Sequence, residues 1–178
     1  MNPLTKIQAK TKDWWDDRYT KNSPFLYSKE PSSFLTKFME LLPKKAKVIE
    51  LACGEGRNAV ALALKGHEVT ASDFSEVAIE RAKTLASESG AKLELKKQDL
   101  DFFMPDLMTY DGIVVIDFKP PQTLLKNMVR GLKKNGLIFV ESYLTEACKE
   151  NQDLEVFETF KPGELMKELG SGMNFQVR

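Results

Sequence analysis

Apolar positions in this 178-residue chain recur with two alternating periods, one helical and one strand-like. After a polar start, Phe34, Leu35, Phe38, Leu41 and Leu42 fall at helical spacing over residues 32–42, and Pro43 stops that helix. Residues 46–52 then read as a first strand. Ala59, Val60, Leu62, Ala63 and Leu64 form the apolar part of a helix that Gly66 breaks. A second strand over 67–72 ends at Asp73. The helix that follows, over 75–87, carries Ala78, Ala82 and Leu85 on one face and stops at Ser89-Gly90. Residues 91–96 alternate polar and apolar, the mark of a strand at an edge or exposed on one face. Residues 113–116 and 137–140 are instead unbroken apolar runs, which suit strands covered on both faces of a parallel sheet. Between these runs Leu124, Leu125, Met128, Val129 and Leu132 line a helix, and Lys133-Lys134-Asn135-Gly136 supplies a stop signal. The alternation predicts an α/β fold: a doubly wound, mostly parallel sheet with right-handed crossovers.

Such sheets take ligands beyond the carboxyl ends of their strands, where strand order reverses. Three of the predicted strand ends or turns carry a carboxylate: Asp73, Asp99 and Asp117. The first strand holds Glu50 near its end and runs into Gly54-x-Gly56, with a helix opening at Arg57. Glycines there let a ligand approach the backbone closely, and the nearby acid points to a ligand with hydroxyls or a cationic amine. A helix-opening role suffices for Arg57 and Asn58, and small size suffices for Cys53 in a tight turn.

Composition narrows the partners. Basic and acidic residues balance at 26 each, so no net field favours nucleic acid or an anionic membrane. Two cysteines, a single histidine (His67) and no CxxC argue against a disulfide framework and against a zinc site. The N-terminus lacks the apolar core of a secretory signal, and no apolar run is long enough to span a bilayer. A soluble cytoplasmic protein acting on a small molecule is the expectation.

The elements WDDRY (15–19), ELACGEGRNAVALA (50–63), GHEVTASDFS (66–75), KKQDL (96–100), YDGIVVI (110–116) and LKKNGLIFVESY (132–143) together resemble the class I S-adenosyl-L-methionine (SAM)-dependent methyltransferases. More narrowly, they resemble the small bacterial enzymes grouped with tellurite-resistance and thiopurine-type methyltransferases. The resemblance covers residues 14–170 and implies a Rossmann-like sheet with SAM as cofactor. It also implies an N-terminal helical lid over residues 1–43 and a SAM-binding α/β domain over 44–178, packed as one compact unit. By that likeness Glu50 and the turn of Ala52, Cys53, Gly54 and Gly56 would surround the methionyl part. Asp73 would take the ribose hydroxyls, and Phe74 would lie against adenine. Asp99 and the Leu100 N–H would meet the adenine edge, while the Ile116 carbonyl and Asp117 would face the methionyl amine. Arg18 and Tyr19 on the lid would hold the cofactor carboxylate.

Methyl transfer from a sulfonium is a direct displacement, so a soft acceptor such as a thiol or chalcogen oxyanion needs no general base, and no catalytic acid or base is assigned. Tyr19, Phe25, Tyr27, Phe118, Pro120, Pro121 and Tyr143 give the acceptor region an aromatic, apolar character. Full-length members of the family continue past the helix at 162–169 into a sixth and a seventh strand. The resemblance therefore implies incomplete C-terminal strands here, an open apolar edge on 137–140 that a homodimer could cover, and a mobile acidic segment over 145–161. Two rival readings stand beside it. Gly54-x-Gly56-x-x-Ala59 with Asp73 also fits a relaxed nicotinamide-dinucleotide fingerprint. A non-catalytic SAM-binding scaffold is the other.

Overall fold

In the computed structural model, residues 11–21, 25–145 and 159–169 are described. Five parallel strands form one sheet in the order β3-β2-β1-β4-β5: β1 (Lys47–Leu51), β2 (Glu68–Asp73), β3 (Glu94–Lys97), β4 (Tyr110–Ile116) and β5 (Leu132–Glu141). The helices are α1 (Lys12–Lys21), α2 (Ser33–Phe38), α3 (Arg57–Leu64), α4 (Glu76–Ser89), α5 (Gln122–Gly131) and α6 (Glu164–Leu169). The sheet and its flanking helices make the doubly wound architecture that the two periods predict.

Strand side chains alternate between faces, and the two faces are packed by different helices. Val48, Val69, Ala71, Val114 and Ile116 pack with Leu35, Met39, Ala59, Leu62 and Ile79 from α2, the turn that follows it (Met39–Leu41), α3 and α4. Ile49, Leu51, Ile113 and Val115 point the other way, onto Leu124, Leu125 and Met128 of α5 and onto Phe103. The unbroken apolar run in β4 follows from this, because both faces are dry. Glu50 interrupts the β1 run on the α3 side. The alternating strand β3 lies at a sheet edge, where Glu94, Lys96 and Lys97 are exposed.

Two expectations shift. Leu35, Met39 and Leu42, in the stretch assigned to the lid, are built into the main core. Helix α5 ends at Gly131, and the Lys133–Gly136 stretch read as its stop lies within β5 instead. It bulges from the ladder, since Tyr110 pairs with Leu132 while Gly112 pairs with Leu137. Lys133 is held there by Asp111 at 2.8 Å, and the same carboxylate oxygen accepts the Lys47 N–H at 2.8 Å. The β4–β5 ladder on either side of the bulge therefore carries this stretch as strand, and Asp111 ties it to the start of β1. Most of the acidic segment (146–158) and the start of the expected sixth strand lie outside the described residues.

Helix α4 fits against the glycine turn only because Gly56 lacks a side chain. Gly56 has φ +83°, and a Cβ built on it would fall 2.8 Å from Ala82 Cβ. Gly56→Ala combines left-handed strain with overpacking and should cost about 2–5 kcal/mol. A urea-unfolding midpoint within error of the parent would contradict this close-packing argument.

Candidate functional site

A cavity of about 470 Å³ opens at the carboxyl ends of the strands, at the reversal of strand order between β1 and β4. Its floor is the turn after β1, where Ala52 (φ +54°), Gly54 (φ +53°) and Gly56 take left-handed backbone angles. Of the residues expected at a cofactor, Tyr19, Glu50, Ala52, Cys53, Gly54, Asp73, Phe74, Asp99, Leu100, Ile116 and Asp117 all line this cavity. Arg18 and Gly56 are not among its lining residues. Arg18 lies over the Trp14 ring at 5.4 Å, while Gly56 serves the α4 contact.

Helix α1 covers the turn. Tyr19 is buried, and its hydroxyl sits 3.0 Å from the position a Cβ on Gly54 would occupy. The helix is pinned by Asp16, which accepts the Ser75 hydroxyl at the start of α4 and pairs with Lys12. Trp15 also lines the cavity, edge-on to Trp14 at 5.0 Å between ring centres.

Three buried carboxylates surround the turn, and each finds donors in a different segment. Asp73 accepts the Gly54 N–H on Oδ2 at 2.8 Å and the Ser75 N–H on Oδ1 at 2.9 Å. Burial pushes its carboxyl up to about 6, against the pull of those N–H groups. Glu55 accepts from Arg81 at 2.7 Å and from the backbone N–H groups of Leu26 at 2.9 Å and Tyr27 at 3.2 Å. It thereby ties the Phe25–Tyr27 wall to the turn. Glu50 is 1% exposed and accepts the Asn58 side-chain amide on Oε1 at 2.9 Å. Its Oε2 is buried without a hydrogen-bond partner among the described residues. Burial raises the Glu50 carboxyl to about 8, against the Asn58 amide, the Ala59 N–H and the Arg57 charge.

Sequence reasoning passed over several of these groups. Asn58, read as a helix opener, is a buried bridge: its Oδ1 accepts the Ser32 N–H at 2.8 Å, and the Ser32 hydroxyl donates to Glu141. Arg57 pairs with Asp117 at 2.9 Å at the cavity mouth. The Glu55–Arg81 pair leaves no periodic trace, because its members lie 26 residues apart. The one available signal was the polar pair Arg57-Asn58 directly after the turn, at the buried start of a helix.

At the opposite wall, Phe25, Tyr27, Phe118 and Pro121 line the cavity, whereas Pro120 is buried in the core. Tyr143 instead lines a second, more open cavity of about 550 Å³, which shares Ser28, Arg57 and Asp117 with the first. Burial and the neighbouring Asp117 push the Tyr143 phenol up to about 12, so it is a donor at neutral pH. Lys119 is held by the Thr159 carbonyl and Glu164 at 3.0 and 2.7 Å. His67 accepts the Ala46 N–H at the other end of the sheet, away from the cavity. Among the described residues no cluster could hold a metal ion, and no helix is long and apolar enough to cross a membrane.

The Glu50 shift has a stability consequence. Its folded value of about 8 exceeds the ordinary 4.5, so its contribution is full below pH 4.5 and lost as pH rises through 8. Between pH 6 and 8 the native chain should lose up to about 1.4 kcal/mol per pH unit relative to Glu50→Gln. Urea unfolding of both proteins at pH 6, 7 and 8 measures this, and parallel stability curves would refute it.

Comparison with known proteins places this geometry. The family described as "Methyltransferase domain" matches residues 48–136, half of the chain. The ubiquinone biosynthesis O-methyltransferase of Coxiella burnetii (strain Dugway 5J108-111) is 26% identical over 140 residues, covering 76% of this chain and 59% of that protein. The chain thus spans about six-tenths of that relative's length. A putative methyltransferase from Bacillus halodurans C-125 superposes with a TM-score of 0.66 at 21% identity, over 78% of this chain and 67% of that one. Coclaurine N-methyltransferase, bound to N-methylheliamine and SAH, does so with 0.55 at 26% identity, over 61% and 34%. The sheet order, the cavity above the glycine turn and the family match agree: this chain has the class I methyltransferase fold and belongs to the methyltransferase-domain family.

Proposed function

We propose that this protein binds SAM in the main cavity and moves its methyl group to a small-molecule acceptor. The observation that carries the reading is the set of carboxylates Glu50, Asp73 and Asp99 that line one cavity together with Ala52, Cys53 and Gly54 of the glycine turn. The donor set suits the cofactor. Glu50 Oε2 offers a buried acceptor for a cationic amine, and each Asp73 oxygen keeps a lone pair beyond its backbone bond for a ribose hydroxyl. Exposed Asp99, which accepts the Asp101 N–H at 3.0 Å, stands where an adenine amino group would be met.

When bound, SAM supplies a methyl group already activated on sulfur. The chain's own residues then have to align the acceptor and exclude water. Trp15, Tyr19, Phe25, Tyr27 and Phe118 supply flat, apolar walls suited to a planar or compact acceptor. The carboxylates Glu55, Asp73 and Asp117 are engaged, Tyr143 keeps its proton, and His67 lies elsewhere. An acceptor that is soft or readily ionised fits best: a thiol or chalcogen oxyanion, as the tellurite-resistance and thiopurine-type resemblance suggests. The name of the Coxiella relative, an O-methyltransferase, favours a second reading, methyl transfer to the oxygen of a hydroxyl acidic enough to ionise unaided. Arg18 and Tyr19 are assigned to the cofactor carboxylate end. The cover formed by α1 and by residues 25–31 is assigned to acceptor choice.

Calorimetric titration with SAM, S-adenosylhomocysteine and NAD should show the two sulfur ligands binding and NAD not. Asp73→Ala should weaken SAM by about 1–3 kcal/mol, the cost of losing buried acceptors. Labelled-methyl transfer to thiols, chalcogen oxyanions and catechols then selects the acceptor. NAD binding without SAM binding would overturn the reading, and SAM binding without turnover on any acceptor would leave a binding module.

A further inference from the structure

Asn58 determines where a proton on Glu50 must sit. Its Oδ1 accepts the Ser32 backbone N–H, which can only donate, so its Nδ2 faces Glu50 and can only donate in turn. Glu50 Oε1 is therefore an acceptor in either protonation state. Any proton on this carboxyl sits on Oε2, the oxygen without a partner. The side chain lines the main cavity, where a ligand amine would be met.

The surroundings decide whether the proton is present. A lone carboxylate taken from water without a counter-ion is costly, and protonation is the usual escape. The nearest cation, Arg57 on α3, is turned to Asp117 at the end of β4. From β2 comes another acid, Asp73, and from the turn come Cys53 and Glu55, the latter paired with Arg81. Tyr19 on α1 is buried with its phenol raised, as is the Cys53 thiol, so both stay neutral near pH 7. Glu141, on β5, reaches Glu50 only through Ser32 and Asn58.

We propose that the ligand-free protein keeps a proton on Glu50 Oε2 and releases it to solvent when a cationic amine enters the cavity, so that amine binding and deprotonation are one event. The inference rests on the SAM reading above. The Oε2–H bond breaks, water or buffer takes the proton, and the ammonium, already charged at pH 7, becomes the counter-ion of the carboxylate. Charge is conserved inside the cavity: one buried proton is exchanged for one buried ammonium.

The test is calorimetry of the full chain with S-adenosylhomocysteine at pH 7 in phosphate and in Tris, whose ionisation heats differ. With the Glu50 carboxyl near 8 before binding, about 0.9 proton per site should be released, whereas Asp73, near 6, accounts for about 0.1 at most. Methylthioadenosine, which lacks the amine but keeps the ribose, should release no more than about 0.1 proton, the share that Asp73 can supply, and Glu50→Gln should bind S-adenosylhomocysteine with the same small exchange. Should that variant not bind, infrared difference spectra of the native chain give the same answer. A protonated-carboxyl C=O band present without ligand and lost with it supports the proposal, provided that ligand-free Glu50→Gln lacks it. Binding with no proton released, or an unchanged band, overturns the proposal while leaving the SAM reading intact. No binding of S-adenosylhomocysteine at all overturns both.

Discussion

A carboxylate that leaves water must find donors or a counter-ion, and this requirement organises the region above the sheet. Glu50, Glu55 and Asp73 are each buried within a few residues of the same turn. Apart from the Gly54 N–H, which Asp73 accepts from the turn itself, their partners come from outside it: Asn58 on α3, Arg81 on α4 with the backbone at 26 and 27, and the N–H of Ser75 at the start of α4. Satisfying three acids therefore pulls four segments into register around one cavity. A hydrophobic core alone would bring the helices to the sheet without specifying the loops above it.

The three acids differ in how completely they are satisfied, and that difference separates scaffold from site. Glu55 has a cation and two backbone donors, which makes it a clamp on the Phe25–Tyr27 wall. Asp73 has one backbone donor on each oxygen and retains lone pairs facing the cavity. Glu50 has an amide on one oxygen and nothing on the other. Buried polar groups that lack a partner are uncommon, and one lining a cavity is most simply explained by a ligand that completes it. The Asn58–Ser32–Glu141 chain carries the same logic outward to the second cavity.

Much of the fold was legible in the sequence because burial on two faces leaves a simple pattern. The run at 113–116 named an interior strand and the alternating stretch after Gly90 an edge strand through apolar spacing alone, whereas the equally apolar run at 137–140 lies on β5, at the other edge of the described sheet. Where the reading slipped, a long-range contact outweighed a local signal. Lys133 to Gly136 has every feature of a helix stop, yet the pairing of Leu132 and Leu137 with β4 carries it as a bulge within β5. Residues 33–42 looked like part of a cover, yet Leu35, Met39 and Leu42 close the core.

The same division holds at the site. Residue types and order along the chain determined the glycine turn, the acids on successive strand ends and hence the kind of ligand, since these depend on neighbours within a few positions. Only tertiary structure decided that Asn58 orients Glu50, that Glu55 holds the aromatic wall through Arg81, and that Arg57 faces Asp117 rather than Glu50. Those choices depend on which donors reach a buried oxygen across 8, 26 or 60 residues of chain. Spacing along the sequence carries no record of that competition, because desolvation and hydrogen-bond geometry settle it after the segments have packed.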